Sequence, residues 1–314
     1  MTLRSWATGA AYATGWAAVQ RLPERGAQRL FNTGADLAAR RPGKGIIRLR
    51  ANLARVLAAT PALAGADLDD LTRAALRSYA RYWQEVFRLP VTATDRIVRE
   101  MHMADDARLR DAYAAGRGVI LALPHTGNWD HAGAWLVATG IPFTTVAERL
   151  EPASLFDRFV AFREGLGMEV LALTGGTQPP FEILADRLRA GGMLCLLADR
   201  DLTAAGVPVR FFGATATMPA GPASLALRTG AALLPVTLHF DDPAPWSGQV
   251  HPQVRDPGTG THAERVAAMT QAMADSFAAG IAAHPADWHM LARLWQADLD
   301  PSRRARYEQP AATR

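Results

Sequence analysis

Gly118-Val-Ile-Leu-Ala-Leu-Pro-His-Thr-Gly-Asn-Trp-Asp-His-Ala-Gly-Ala-Trp-Leu-Val137 divides into three parts. The apolar run up to Pro124 has the length and branching of a buried strand. His125-Thr-Gly-Asn128 is a turn, with Gly127 free to bend the backbone tightly. From Asp130 to Val137 the residues suit a helix, and Asn128 or Asp130 can cap its first turn. A strand therefore hands a histidine to a turn, and a carboxylate follows five residues later.

The same alternation repeats downstream. Apolar runs at 118–123, 142–147, 168–173, 193–198 and 233–240 are separated by candidate helices at 130–139, 152–166, 179–190 and 219–229. That spacing predicts an α/β fold, with a central mostly parallel β-sheet covered by helices on both faces. Residues 249–254 read as an edge strand. A last long helix spans 262–283, with Val266, Met269, Met273, Phe277 and Ile281 on one face. Upstream, helices dominate roughly the first 115 residues. Ile46, Leu49, Leu53 and Val56 share one face, and Arg48, Asn52 and Arg55 another. Leu68, Leu71, Ala75, Tyr79, Tyr82 and Val86 form a second stripe, which Asp67 can cap and Pro90 ends. No linker is evident. Residues 1–314 read as a single domain with a helical N-terminal layer, an α/β core over 118–256 and an exposed, mobile tail after Pro301.

The composition, 49% apolar and 20% charged, is that of a globular protein. The single cysteine, Cys195, excludes an intrachain disulfide and fits a reducing cytoplasmic setting. Residues 1–60 carry nine arginines and Lys44 against Glu24 and Asp36, net +8; the whole chain carries +4, so residues 61–314 sum to −4. A basic N-terminal segment (1–45) on a mildly acidic body points to an anionic partner. The uncharged stretch 5–20 is too short and too small-residue-rich to span a bilayer. Its Trp6, Tyr12 and Trp16 suit an amphipathic helix lying on a membrane surface. A helix docked on the core would use a Tyr12, Trp16, Val19 stripe equally well. Aromatic residues amount to 8% with no stacking cluster, so nucleic acid is not an expected partner.

His125 and Asp130 are the candidate catalytic pair. A neutral imidazole accepts a proton near neutral pH, and a carboxylate on its other nitrogen fixes the tautomer and stabilises the imidazolium. The plainer alternative makes Asp130 a helix cap and His125 a loop residue. Asp199-Arg200-Asp201 follows the strand at 193–198, at the sheet edge where open α/β proteins bind ligands. There Asp199 would position a substrate hydroxyl or hold an arginine. Glu148-Arg149 ends another strand at that edge. Asn128, Arg200 and Arg210 complete the candidate substrate-binding set, and Arg228 is a further anion-binding candidate. Gly175-Gly176-Thr177 reads as a turn without a nucleotide-binding pattern. No histidine pair has metal-ligand spacing, and no metal or cofactor is expected.

The wording around these residues carries more than their spacing. Pro124-His-Thr-Gly-Asn-Trp-Asp130 resembles the signature of the lysophospholipid acyltransferase superfamily, and of its lipid A late acyltransferase branch in particular. Leu197-Ala-Asp-Arg-Asp-Leu202, Val209-Arg-Phe-Phe-Gly213, the Met218–Ala231 stretch, Leu234-Pro-Val236 and His284-Pro-Ala-Asp-Trp-His-Met-Leu291 continue the likeness in order over roughly 45–296. Within the branch, the Arg- and Ala-rich chain is most similar to actinobacterial members acting on phosphatidylinositol mannosides.

The resemblance implies a glycerolphosphate-acyltransferase-like fold. It also implies a peripheral enzyme on the cytoplasmic face of the plasma membrane. His125, oriented by Asp130, would deprotonate an acceptor hydroxyl, which would attack the thioester of acyl-CoA without an acyl-enzyme. Arg163 would face the cleft or bind donor phosphates. The implied glycolipid acceptor is a mannose hydroxyl of a phosphatidylinositol mono- or dimannoside. A lipid A precursor or a lysophospholipid is the alternative.

Overall fold

A computed structural model of the chain describes residues 14–148, 153–174, 179–202, 205–241 and 245–308. Four helices open it: α1 (14–21), α2 (Glu24–Arg40), α3 (Lys44–Ala59) and α4 (Leu68–Arg88). Asp67 caps α4, its carboxylate accepting from the backbone N–H groups of Asp69 and Asp70. The following elements are α5 (Thr94–Glu100), β1 (Met101–Ala104), α6 (Asp106–Ala114), β2 (Val119–Leu123), α7 (Trp129–Ala138) and β3 (Phe143–Ala147). Next come α8 (Ala153–Gly165), β4 (Glu169–Ala172), α9 (Pro180–Arg189), β5 (Met193–Leu197), β6 (Val207–Phe211) and β7 (Ala214–Met218). The chain continues through α10 (Gly221–Thr229), β8 (Ala232–His239), β9 (Trp246–Val250), α11 (His262–Ala283) and α12 (Pro301–Glu308).

Seven strands form one sheet in the order β1-β9-β8-β2-β5-β3-β4, parallel except where β9 runs against β8. The expected α/β architecture is therefore present. Strand β2 lies at its centre, buried at every position. Ile120 and Ala122 pack into one core with α9, α10 and α11, while Val119, Leu121 and Leu123 pack into a second core with α7. That alternation is the period of two that a strand imposes. A fully buried leucine or isoleucine contributes about 1.5–3 kcal/mol.

The elements differ from expectation in two places. The 249–254 run begins earlier, as β9, and lies inside the sheet between β8 and β1. Pro252 has no N–H to continue the ladder; beyond it Val254 makes only an isolated bridge to Leu233. The β6–β7 hairpin stands apart from the main sheet and went unanticipated. Residues 301–308 are helical, and the Tyr307 hydroxyl donates to Asp201 Oδ2 (2.8 Å); residues 309–314 lie outside the described residues.

Asn52, placed with Arg48 and Arg55 on a polar face, is buried. Its amide donates to the carbonyls of Met290 (2.7 Å) and Ala292 (3.0 Å), tying α3 to the segment after α11.

Candidate active site

The sheet register builds the centre of the site. Leu123 of β2 pairs with Leu197 of β5, so the residues two positions beyond each, His125 and Asp199, emerge side by side. Gly127 then turns the chain at φ 54°, where a Cβ would lie 2.8 Å from the backbone of Leu238 and His239. Only glycine fits that combination of left-handed backbone and close approach.

His125 Nδ1 lies 2.6 Å from Asp199 Oδ1, and Asp199 Oδ2 accepts from the His125 backbone N–H (2.9 Å) and from Trp288 Nε1 (3.0 Å). The Asp199 carboxylate is fully buried. Burial acts to raise its pKa, but attraction to His125 and the hydrogen bonds from His125 and Trp288 outweigh burial and hold it below the ordinary value. With Nδ1–H directed at a carboxylate, Nε2 is left as the basic nitrogen. His125 lines a cavity of about 490 Å³ together with Glu148, Phe181, Leu184, Leu197 and Arg200. That volume lies within the roughly 300–1,000 Å³ range of small-molecule sites.

Asp130, expected to orient His125, instead makes its hydrogen bonds to other residues, and His125 faces Asp199. The Asp130 carboxylate turns away from the cavity, receiving Arg163 Nε at Oδ1 (2.6 Å) and both Arg163 Nη2 (3.2 Å) and the Tyr82 hydroxyl (2.8 Å) at Oδ2. The physical reason is position. Asp130 sits in the first turn of α7, packed against α4 and α8, whereas His125 precedes the turn. Trp129 fills the space between, stacked on Tyr82 (4.1 Å) and edge-on to His125 (5.5 Å). Burial works against the Arg163 charge, but Asp130 outweighs it and holds the guanidinium above its ordinary pKa.

Asn128, grouped with the substrate-binding residues, has both ends of its amide engaged. Its oxygen caps α7 by accepting from His131 N (3.0 Å), and its nitrogen donates to Glu85 Oε2 (2.8 Å). Glu85 also takes Trp246 Nε1 (2.8 Å) and Arg81 Nε (2.7 Å). Burial nonetheless keeps its pKa above normal. Glu148 and Arg200 approach each other at 4.0 Å and do line the cavity with His125. Arg149 and Gly175–Thr177 lie outside the described residues. Arg210 is exposed on β6, its backbone bonded to Gln271 of α11, and Arg228 is paired with Glu182; neither lines the cavity. Tyr82, Glu85 and Trp288 were not among the sequence candidates. Tyr82 was legible only as part of an apolar stripe, and Trp288 only as part of a motif. Among the described residues no group of three or more His, Cys, Asp or Glu is arranged to hold a metal ion.

Two more imidazoles sit behind the turn. His131 stacks on Trp246 (3.7 Å) with its Nε2 unpartnered, and burial lowers its pKa to about 3. Burial, with a smaller contribution from His125, does the same to His289, also to about 3. Unfolded histidines titrate near ~6.5, so between the two values the unfolded chain binds protons that the folded chain does not. Stability is therefore fully present above about pH 6.5 and is lost as pH falls toward 3. At pH 5 the loss is about 2 kcal/mol for each ring. Glu85 and Asp287, both raised by burial, oppose part of this loss. His131→Phe is expected to lose about 2 kcal/mol less than wild type between pH 7 and pH 5 in urea unfolding. A gap between the two proteins that is the same at both pH values rules the account out.

A mostly parallel sheet thus presents a carboxylate-paired histidine at its strand ends, beside a largely apolar cavity. Sequence comparison gives the class: residues 1–297 match the bacterial lipid A biosynthesis acyltransferase family, and the chain belongs to that family of acyltransferases. It is 54% identical over 300 residues to the phosphatidylinositol mannoside acyltransferase of Mycolicibacterium smegmatis, covering 95% of each chain. It is 53% identical over 301 residues to the enzyme of the same name from Mycobacterium tuberculosis, covering 95% of this chain and 92% of that one.

Proposed function

We propose that this acyltransferase moves a fatty acyl group from acyl-CoA to a mannose hydroxyl of a phosphatidylinositol mannoside, with His125 as general base and Asp199 as its orienting acid. The observation that carries the chemistry is the 2.6 Å contact between His125 Nδ1 and buried Asp199 at the cavity wall. His125 Nε2 takes the proton of the acceptor hydroxyl, and the oxygen attacks the thioester carbonyl. The C–S bond then breaks, and the imidazolium returns its proton to the leaving thiolate. Arg200, in the same cavity and held only loosely by Glu148, is the candidate donor to the transient oxyanion. The apolar walls, among them Phe181, Leu184 and Leu197, suit a fatty acyl chain. The choice of acceptor rests on the names of the two relatives.

An amphiphilic acceptor calls for an enzyme at the membrane surface, and the N-terminal layer supports that placement. Leu30, Leu37 and Ile47 are exposed at 57%, 63% and 57%. They share α2 and α3 with Arg25, Arg29, Arg40 and Lys44, and Arg41 follows directly on α2. Each basic group near an anionic surface contributes about 1 kcal/mol. Trp16 is not part of this face: its indole donates to the Phe87 carbonyl (2.9 Å) and packs on Phe159 and Phe162, as the docked-helix alternative required. No described helix is long and apolar enough to cross a membrane.

The test supplies purified enzyme with palmitoyl-CoA and acceptors embedded in anionic liposomes. Transfer to phosphatidylinositol mono- or dimannoside is expected to exceed transfer to a lipid A precursor or a lysophospholipid by about tenfold or more, and to weaken as salt screens the surface. Preferential acylation of the lipid A precursor would sink the mannoside reading, and salt-independent turnover would sink the surface placement.

A further inference from the structure

The segment after α11 lies along the catalytic turn like a short added strand. Thr126 and Trp288 form an antiparallel bridge. On either side of it, Gly127 N–H donates to the Asp287 carbonyl (2.9 Å), and His289 N–H donates to the His125 carbonyl (2.7 Å). The Trp288 side chain is fully buried, with Phe211 and Trp295 packed edge-on against it. Its one polar atom, Nε1, donates to Asp199 Oδ2 at 3.0 Å.

We propose that Trp288 is a positioning residue for the proton transfer: its indole N–H draws charge from the Asp199 carboxylate and thereby limits how strongly Asp199 stabilises protonated His125. The geometry sets the direction. Asp199 Oδ2 has two donors, the His125 backbone and Trp288, while Oδ1 faces the ring. A hydrogen bond to an ionised acceptor is roughly twice as strong as one between neutral groups, and burial strengthens it further. Without the indole donor the carboxylate carries more charge toward His125, and the imidazole keeps its proton to higher pH. Among the described residues, the other ionisable groups near His125 include Glu148, Arg200 and Asp201, which line the cavity with it, and Asp287 and His289, which lie along the turn. None of them accepts from or donates to Trp288 Nε1. The coupling therefore runs through Asp199.

This inference rests on His125 being the general base. The test replaces Trp288 by β-(3-benzothienyl)alanine, which keeps the bicyclic shape and lacks the N–H. The acid limb of the kcat/KM profile is expected to move up by about one pH unit, with the acceptor KM unchanged. Trp288→Phe is expected to move it the same way. The same isostere at Trp295, whose Nε1 donates to the Phe211 carbonyl (2.8 Å), is expected to leave the limb in place. An NMR titration of the ¹⁵N-labelled His125 ring reads the same coupling without turnover. A purely structural role lowers kcat without moving the limb, so an unmoved limb in the folded isostere enzyme overturns the proposal. If instead His125→Ala turns over normally, the general-base reading itself fails. The ring titration still decides whether Trp288 tunes the pair.

Discussion

Asp199→Asn is expected to lower kcat by about 10³-fold or more, and His125→Ala by at least as much, with little change in melting temperature for the histidine variant. The carboxylate fixes Nδ1–H on the ring and stabilises the imidazolium formed when the acceptor loses its proton. Asparagine can still accept at one atom, but it brings no charge and can present an N–H that favours the wrong tautomer. Because the two residues act as a unit, the double variant should be scarcely slower than the worse single one. Steady-state rates with acyl-CoA and a liposome-borne acceptor measure this. Retention of kcat within tenfold of wild type by Asp199→Asn removes Asp199 from the mechanism. A double variant slower by the product of the two single effects shows that the residues act independently.

The strand, the turn and the following helix could be read from residues 118–137 because their signals are local: an apolar run, a glycine and a cap. The partner of His125 could not be read in this way. Chain order makes Asp130 the nearest carboxylate, but β2 pairs with β5 rather than with β3, which follows it in sequence. That long-range pairing carries Asp199 to the imidazole. The arginine candidates divided for a similar reason. Arg163 and Arg228 each find a carboxylate on another element, whereas Arg200 stays at the cavity. The β6–β7 hairpin was missed because its turn, Phe212-Gly213, needs positive φ at both positions (47° and 76°), and phenylalanine does not announce such a turn. Strand β1, Met101–Ala104, has only four residues and little apolar contrast with its flanks. Tyr82 follows the expected α4 stripe, yet its hydroxyl serves Asp130, a contact that periodicity does not reveal.

The Asp130–Arg163 pair is expected to behave as a structural strut, and its variants separate that role from direct catalysis. Asp130 is 2% exposed and Arg163 is 19% exposed, so removing one partner leaves the other charge buried and unpaired. That condition costs about 3–5 kcal/mol. Asp130→Asn also takes the charge-assisted hydrogen bond from the Tyr82 hydroxyl, which burial already holds far from ionisation. Asp130→Asn and Arg163→Met are therefore each expected to lower stability by about 3–5 kcal/mol in urea unfolding. Each should lower kcat as well, because α7 and Trp129 no longer hold the turn that carries His125. The double variant Asp130→Leu/Arg163→Met leaves neither charge stranded, so it should recover part of the stability lost by the single variants. Were Asp130 instead the acid that orients His125, Asp130→Asn would abolish turnover in a protein of unchanged stability, and Arg163→Met would leave turnover intact. Measuring urea midpoints and kcat on the same three preparations decides between the two arrangements. Loss of stability that tracks loss of turnover across the set assigns the pair to the frame, and loss of turnover alone assigns Asp130 to the chemistry.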